Sequence, residues 1–490
     1  MPWLPFALVL GLLVFANLAY PLWQAISTGG LVYYTNANDE ATYLQYDFAQ
    51  VAASPTRPGQ YLVVWAHQLG LSGGWQNLLA DAVVPIAFAL ATGWLLRRMG
   101  WEPSRARLAA LAMLVVPMLV GTQNPLFRSL SFRNIATGWI YWINMVDQRA
   151  CGLLRTPEPQ ASWVILMVAA IVALRLRSIW PLLAATLVSY TFVGMPTAFV
   201  AAAWELHRRW GDRPGRRWAP LLVTWLAIGA ASGLYFHLVA SERLRFYLIP
   251  SHLPLLSLTS VLALALYAAL RKDIASEWRF PALAVALAPL AVSNQQIISG
   301  FVAQPSNFEQ HFGVVAIAFV LVLGARAWPR VYPALVACGC ALWLATASID
   351  FRMNVATNSP LPFDGKLTGA LREDSRHVAV NDRDLASVLG LVYPRQPATA
   401  LGYDQGSPAV AARYIADYRC ARRQILADYP HDVGFFKATV QLDYLFTTGN
   451  IWLPIVSLGR PLPPPTLYNV EAGCEPGVAH PLRYFLVKGP

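Results

Sequence analysis

The 490 residues are 56% hydrophobic and only 13% charged, with a formal net charge of +11 at pH 7. So little charge excludes an ordinary water-soluble domain, and a mean hydropathy of +0.43 fits a chain that enters a bilayer repeatedly. The positive balance does not signal nucleic acid: Arg and Lys gather at the ends of apolar blocks, as the positive-inside rule requires, so no nucleic-acid partner is expected.

In chain order, the apolar blocks predict about eleven spans: 3–26, 77–97, 108–121, 162–176, 179–191, 193–206, 219–241, 252–271, 280–296, 313–328 and 331–349. The first is too long for the core of a signal peptide and has no basic lead-in, so it is read as a span. Several others fall short of a 30 Å hydrocarbon core, which predicts buried or broken helices. Around Tyr190-Thr-Phe-Val-Gly194-Met-Pro196, two short helices are expected to meet at a Gly/Pro break. That division puts nearly every basic cluster on one side: Arg97, Arg98, Arg105, Arg107, Arg175, Arg177, the Arg208–Arg217 group, Arg271, Lys272, Arg326 and Arg330. With that side cytoplasmic, the N-terminus is inside and the loops 27–76, 122–161 and 297–312 lie outside.

Beyond about residue 351, charge, Pro and short alternating stretches replace the apolar blocks. The expected division is a transmembrane domain over 1–350 and an extracytoplasmic α/β domain over 351–490. In the latter, His377–Asn381 and Gln441–Thr447 read as strands and Asp384–Val392 as a helix. Cys338-Gly-Cys340 lies in an apolar run and reads as packing, whereas Cys420 and Cys474 could be bridged outside the cytoplasm.

Chemistry-bearing residues concentrate in the outer loops. Asp39 and Glu40 open a segment whose Tyr43, Leu44, Tyr46, Phe48 and Val51 suit an amphipathic surface helix. A carboxylate at the start of such a helix is held ionised by the helix dipole and can act as a base, although an N-cap role accounts for Asn38 or Asp39 equally well. The loop 122–161 interleaves Arg128, Arg133, Arg149 and Arg155 with Phe127, Phe132, Trp139, Tyr141 and Trp142. Guanidinium forks match phosphate oxygens and aromatics settle at headgroup depth, so this loop reads as a surface for a lipid phosphate. Attraction to anionic headgroups, or pairing with Asp147, remains a competing account. The run Asn294-Gln295-Gln296 to His311 offers Gln304, Asn307 and Glu309 for sugar or acceptor hydroxyls and His311 for a phosphate oxygen. Arg243, Arg245, Tyr247 and His252 form a weaker fourth cluster.

An Asp-Glu pair in the first outer loop, about a dozen spans with some broken, and an extracytoplasmic C-terminal domain together resemble the GT-C superfamily of integral-membrane glycosyltransferases. The resemblance implies a polyprenyl-phosphate sugar as donor, a bacterial inner-membrane location, and Asp39 as catalytic base with Glu40 as neighbour or substitute. Attack from the face opposite the phosphate then predicts inversion at the anomeric carbon, with a glycan, lipid or protein as acceptor. The Trp-Trp-Asp phrase of oligosaccharyltransferases is absent, so a divalent cation at Asp39 stays an open question. Two other functions fit the composition: a lipid-linked glycan flippase, and an envelope scaffold whose outer domain binds a partner.

Overall fold

The computed structural model describes residues 1–27, 58–71, 75–120, 135–136, 141–143, 160–212, 248–250, 254–295, 297, 301–303, 305–328 and 330–357, together with four strands beyond residue 376. The helices are α1 Trp3–Ser27, α2 Pro58–Gln68, α3 Trp75–Arg98, α4 Pro103–Val115, α5 Pro117–Val120, α6 Gln160–Leu176, α7 Trp180–Leu187, α8 Thr191–Asp212, α9 Leu258–Leu270, α10 Ser276–Ser293, α11 Pro305–Phe308, α12 Val314–Gly324 and α13 Val331–Thr357. A π-helical turn, Glu309–Gly313, leads into α12, and a 3₁₀ turn, Ala325–Ala327, follows it.

Among the described residues, three helices are long and apolar enough to cross a membrane: Trp3–Ser27, Leu78–Arg98 and Val331–Ile349. Their side chains divide accordingly. On α1, Phe6, Leu10, Leu13 and Val14 are buried, whereas Leu4, Leu8, Leu12 and Phe15 face outward, Leu4 with 70% of its surface exposed. On α3, Val83, Ile86, Leu90 and Trp94 form a similar outward stripe. In water each such Leu or Ile would forgo about 1.5–3 kcal/mol of burial, so these stripes suit hydrocarbon surroundings.

Helix α4 occupies the middle of the bundle. Its Ala106, Ala109, Ala110, Leu111, Met113 and Leu114 are all buried, so beyond Arg107 it is apolar all round and shows no amphipathic pattern. The expected span over 108–121 is instead this 13-residue helix, followed by a break before α5 at Pro117, whose ring nitrogen cannot donate a helical hydrogen bond. The start of α4 is fixed by Glu102, whose carboxylate accepts from the Ser104 hydroxyl, from Ser104 N at 3.0 Å and from Arg105 N at 3.1 Å. Those bonds, the Ser104 hydroxyl foremost, draw its pKa from 4.5 down to about 2. A depressed folded-state value means the cap stabilises fully above pH 4.5 and is lost as pH falls toward 2. Between pH 6 and pH 3 the unfolding midpoint of the wild type is therefore expected to fall further than that of Glu102→Gln, and equal falls would refute the cap.

Ring and hydrogen-bond contacts sort the helix ends into two groups. At one end, Arg107 Nε donates to Met1 O at 2.8 Å and its guanidinium lies 4.8 Å from the Trp3 ring centroid. Trp101, just after α3, meets Tyr332 at the start of α13, and the Tyr332 hydroxyl donates to Val322 O near the end of α12. Gly324 lies against Leu270 at the end of α9. Trp204 and His207 of α8 meet Trp278 and Phe280 of α10, and Arg208 Nη1 donates to Arg177 O after α6. Arg97, Arg98, Arg105, Arg175, Arg177, Arg271, Lys272 and Arg279 are all exposed, and the positions of these contacts place them at this same end. The described members of the basic clusters thus share one end, as their placement in the sequence predicts. Glu205 is buried there and holds Arg208 through Oε1 at 3.0 Å and Oε2 at 2.9 Å.

The expected pair of helices across 179–206 is present as α7 and α8, but the break falls at Val188–Tyr190, earlier than Gly194 and Pro196. Pro196 sits in the second turn of α8, where the helix accommodates it. Residues 219–241, read as a span, lie outside the described residues.

Strands β1 Ile135–Ala136, β2 Tyr141–Ile143 and β4 Leu255–Ser257 form a small sheet in the order β1-β2-β4, and β3 Leu248–Pro250 pairs antiparallel with β5 Phe301–Ala303. Near the C-terminus, β6 His377–Val380, β7 Ala398–Ala400, β8 Thr466–Val470 and β9 Arg483–Leu486 form a sheet in the order β7-β6-β8-β9. Within it, β6–β7 is parallel and β6–β8 and β8–β9 are antiparallel. The strand expected from His377 is present. The strand expected at Gln441–Thr447, the helix at Asp384–Val392, Cys420 and Cys474 lie outside the described residues.

Candidate functional site: a buried polar cluster at the non-basic end

The opposite helix ends converge on the π-turn. Trp163 Nε1, from the first turn of α6, donates to His311 O at 3.0 Å. Ser162 Oγ accepts from Tyr190 N at 2.8 Å, and the Tyr190 ring meets that of His311 edge-on at 5.7 Å. Phe192 of α8 packs on Phe308 at 4.9 Å. From α9, Ser260 Oγ donates to Glu309 Oε1 at 3.2 Å, and Ser257 Oγ donates to Ser260 Oγ at 2.7 Å. Ser257 also caps α9, accepting from Ser260 N at 3.2 Å. At the end of α10, Asn294 Oδ1 accepts from Leu255 N at 2.7 Å, while its Nδ2 donates to Leu255 O at 2.7 Å and Leu290 O at 2.8 Å.

This arrangement corrects the reading of 297–312 as a polar loop. Residues 301–303 are a strand, 305–308 a helical turn and 309–313 a π-turn continuous with α12. Glu309 and His311 are each only 1% exposed, and Asn307 is half-buried. The polar run reads as a loop because its side chains find partners on other helices, which no local pattern records. The π-turn packs closely on α9: a Cβ on Gly313 would collide with Thr259 Oγ1 and lie 3.2 Å from Glu309 Oε2. Extra residues of this kind inserted in α-helices are frequent at functional sites.

Among the described residues, Glu309 forms no ion pair, and its Oε2 has no hydrogen-bond partner. Thr259 Oγ1, on the neighbouring helix, is likewise buried without a partner. Gln160, fully buried at the start of α6, has neither amide atom bonded. Orphaned polar atoms this deep each cost about 1–3 kcal/mol, and they occur at the basic end too, where Trp278 Nε1 is buried without a partner.

Of the residues singled out in the sequence, Asn307, Glu309 and His311 come together at this end. Asp39, Glu40, Arg128, Arg133, Arg149, Arg155, Gln304 and the Arg243–His252 group lie outside the described residues. Ser257, Thr259 and Ser260 were not singled out. Three hydroxyls opening an apolar block look like a capping run, and only the arrival of Glu309 from a distant segment gives them another role. Cys338 and Cys340 carry free thiols, Cys338 exposed on the outer face of α13 instead of in the core, and among the described residues no cluster of His, Cys, Asp and Glu could hold a metal ion. No family model matches the chain, and no curated protein matches it.

Proposed function

We propose that the protein is a membrane glycosyltransferase of the GT-C type, moving a sugar from a polyprenyl-phosphate donor to an envelope acceptor on the outer face of a bacterial inner membrane. In this reading the chain spans the membrane about eleven times, with the basic end cytoplasmic and the domain from 351 onward outside. The observation that supports it is the polarity of the bundle. One end is ringed by arginine, and the other gathers Ser162, Tyr190, Ser257, Ser260, Asn294, Asn307, Glu309 and His311. The chain leaves α1 at Ser27 and enters α6 at Gln160 at that same polar end, so the segments carrying Asp39–Glu40 and the four arginines both join it.

In the proposed reaction Asp39 takes the proton of the acceptor hydroxyl, whose oxygen bonds to the anomeric carbon as the bond from that carbon to the phosphate oxygen breaks. The polyprenyl phosphate departs with the electron pair, and Arg128, Arg133, Arg149 and Arg155 stabilise its charge. Asn307 and Gln304 serve the sugar hydroxyls. Glu309 and His311, expected from the sequence to meet the sugar and the phosphate, are each 1% exposed, so in this proposal they instead hold the turn next to Asn307 from inside the bundle.

The test is transfer from radiolabelled polyprenyl-phosphate hexoses and pentoses to acceptors in membranes of a deletion strain supplemented with the purified protein. Label moving into an envelope glycan only when the protein is present supports the reading. No transfer from any donor, with an unaltered glycan profile in the deletion strain, overturns it.

A further inference from the structure

We propose that Glu309 binds an alkali-metal cation, Na⁺ or K⁺, shared with Thr259 Oγ1 and Ser260 Oγ between α9 and the π-turn. The argument begins with charge. Glu309 is 1% exposed and, among the described residues, forms no ion pair. A carboxylate taken out of water costs several kcal/mol unless it is compensated. The first turn of α9 lies beside it, but a helix N-terminus acts as about half an elementary charge and contributes at most about 2 kcal/mol. Part of that N-terminus is already spent, since the Ser260 amide is bonded to Ser257 Oγ. Either a proton or a cation must neutralise what is left.

The oxygens decide what supplies it. Oε1 is reached by the Ser257–Ser260 hydroxyl relay, while Oε2 and Thr259 Oγ1 are both orphaned and both border Gly313. These two oxygens are not hydrogen-bonded to each other, so a proton on Oε2 would leave Thr259 unsatisfied. A cation between them would satisfy both, and hard oxygen donors suit a hard ion. A bridging water could bond to both oxygens but would leave the charge uncompensated. The valence follows from the count of carboxylates: one acid among neutral hydroxyls balances one positive charge, whereas a divalent ion would leave a net charge buried. No Cβ separates the π-turn from Thr259, because position 313 is glycine.

The experiment compares unfolding midpoints of the purified full-length protein in detergent at one ionic strength in NaCl, KCl and N-methyl-D-glucamine chloride. The midpoint is expected to rise by roughly 2–4 °C in at least one alkali salt relative to the organic cation. Glu309→Gln should remove the difference. Thr259→Val, which keeps the shape and removes the oxygen, should reduce it. Equal midpoints in all three salts overturn the site in favour of a protonated or water-bridged carboxyl, as does a difference that survives in Glu309→Gln. If that variant does not fold, an undiminished difference in Thr259→Val overturns it instead. The readout needs no substrate, and Asp39→Asn should keep the full salt response, so this site and the proposed transferase activity fail separately.

Discussion

Gly339→Leu is expected to unfold the bundle far more readily than any change on its outer surface. Gly339 faces α4, where a Cβ would collide with a Val115 methyl, lie 2.7 Å from Val115 Cβ and come 3.1 Å from its carbonyl oxygen. Val115 is fully buried and its carbonyl belongs to a central helix, so neither can move aside. Helix α13 would have to withdraw, straining the bond from Trp343 Nε1 to Leu13 O at 3.1 Å and the contact between Trp101 and Tyr332. Ala should cost about 1–3 kcal/mol, the usual range for overpacking, and Leu more than Ala. Gly11→Leu is the control, because Gly11 is exposed and has nothing within 4 Å of its Cβ position. Thermal midpoints in detergent should separate the two variants clearly. Equal midpoints would show that α13 does not pack on α4 through this glycine. The same contact explains the Cys338-Gly-Cys340 phrase: small residues let two helices approach in a bilayer, and the middle position makes the contact.

Asp39→Asn is expected to lower transfer by roughly 10²–10⁴-fold, the range for losing a general base, with no change in the thermal midpoint. The amide keeps the shape and any capping bond but cannot accept the acceptor's proton. Glu40→Gln should have a smaller effect if Glu40 only adjoins the base. Should Glu40 take over as base, the single Asp39 variant would keep part of its rate and the double variant would lose it. Full transfer by the double variant would disprove the proposed mechanism. Rates with labelled polyprenyl-phosphate sugar give the answer, and the midpoint separates chemistry from folding.

Much of the helical plan is readable from residues alone. The basic clusters at Arg97, Arg175, Arg208 and Arg271 predict which ends lie together, because arginine at a span end cannot be drawn into hydrocarbon without a large cost. The division into α7 and α8 follows from the same charge count. What escapes is decided by distant partners. Beyond Arg107, helix α4 is apolar on every side, so no periodicity fixes where it stops, and Pro117 ends it before the apolar block ends. The run from Gln304 to His311 is polar enough to pass for a loop, yet Glu309 and His311 are interior because Ser260, Trp163 and Tyr190 meet them there. The candidate site is legible only as a list of polar residues near span ends. Which of them are orphaned depends on contacts between segments more than a hundred residues apart in the chain, such as Trp163 with His311.

Asn294 gives the small sheet at this end a definite boundary. Among the described strands, β4 is the outermost member of its sheet, and open edges of that kind recruit strands from other molecules. Here a single carboxamide occupies both the N–H and the C=O of Leu255, imitating with a side chain the neighbour that a further strand would provide. At Leu255 that edge is therefore already occupied. Deamidation to aspartate would take away the donor half of the imitation and leave the Leu255 and Leu290 carbonyls without that partner.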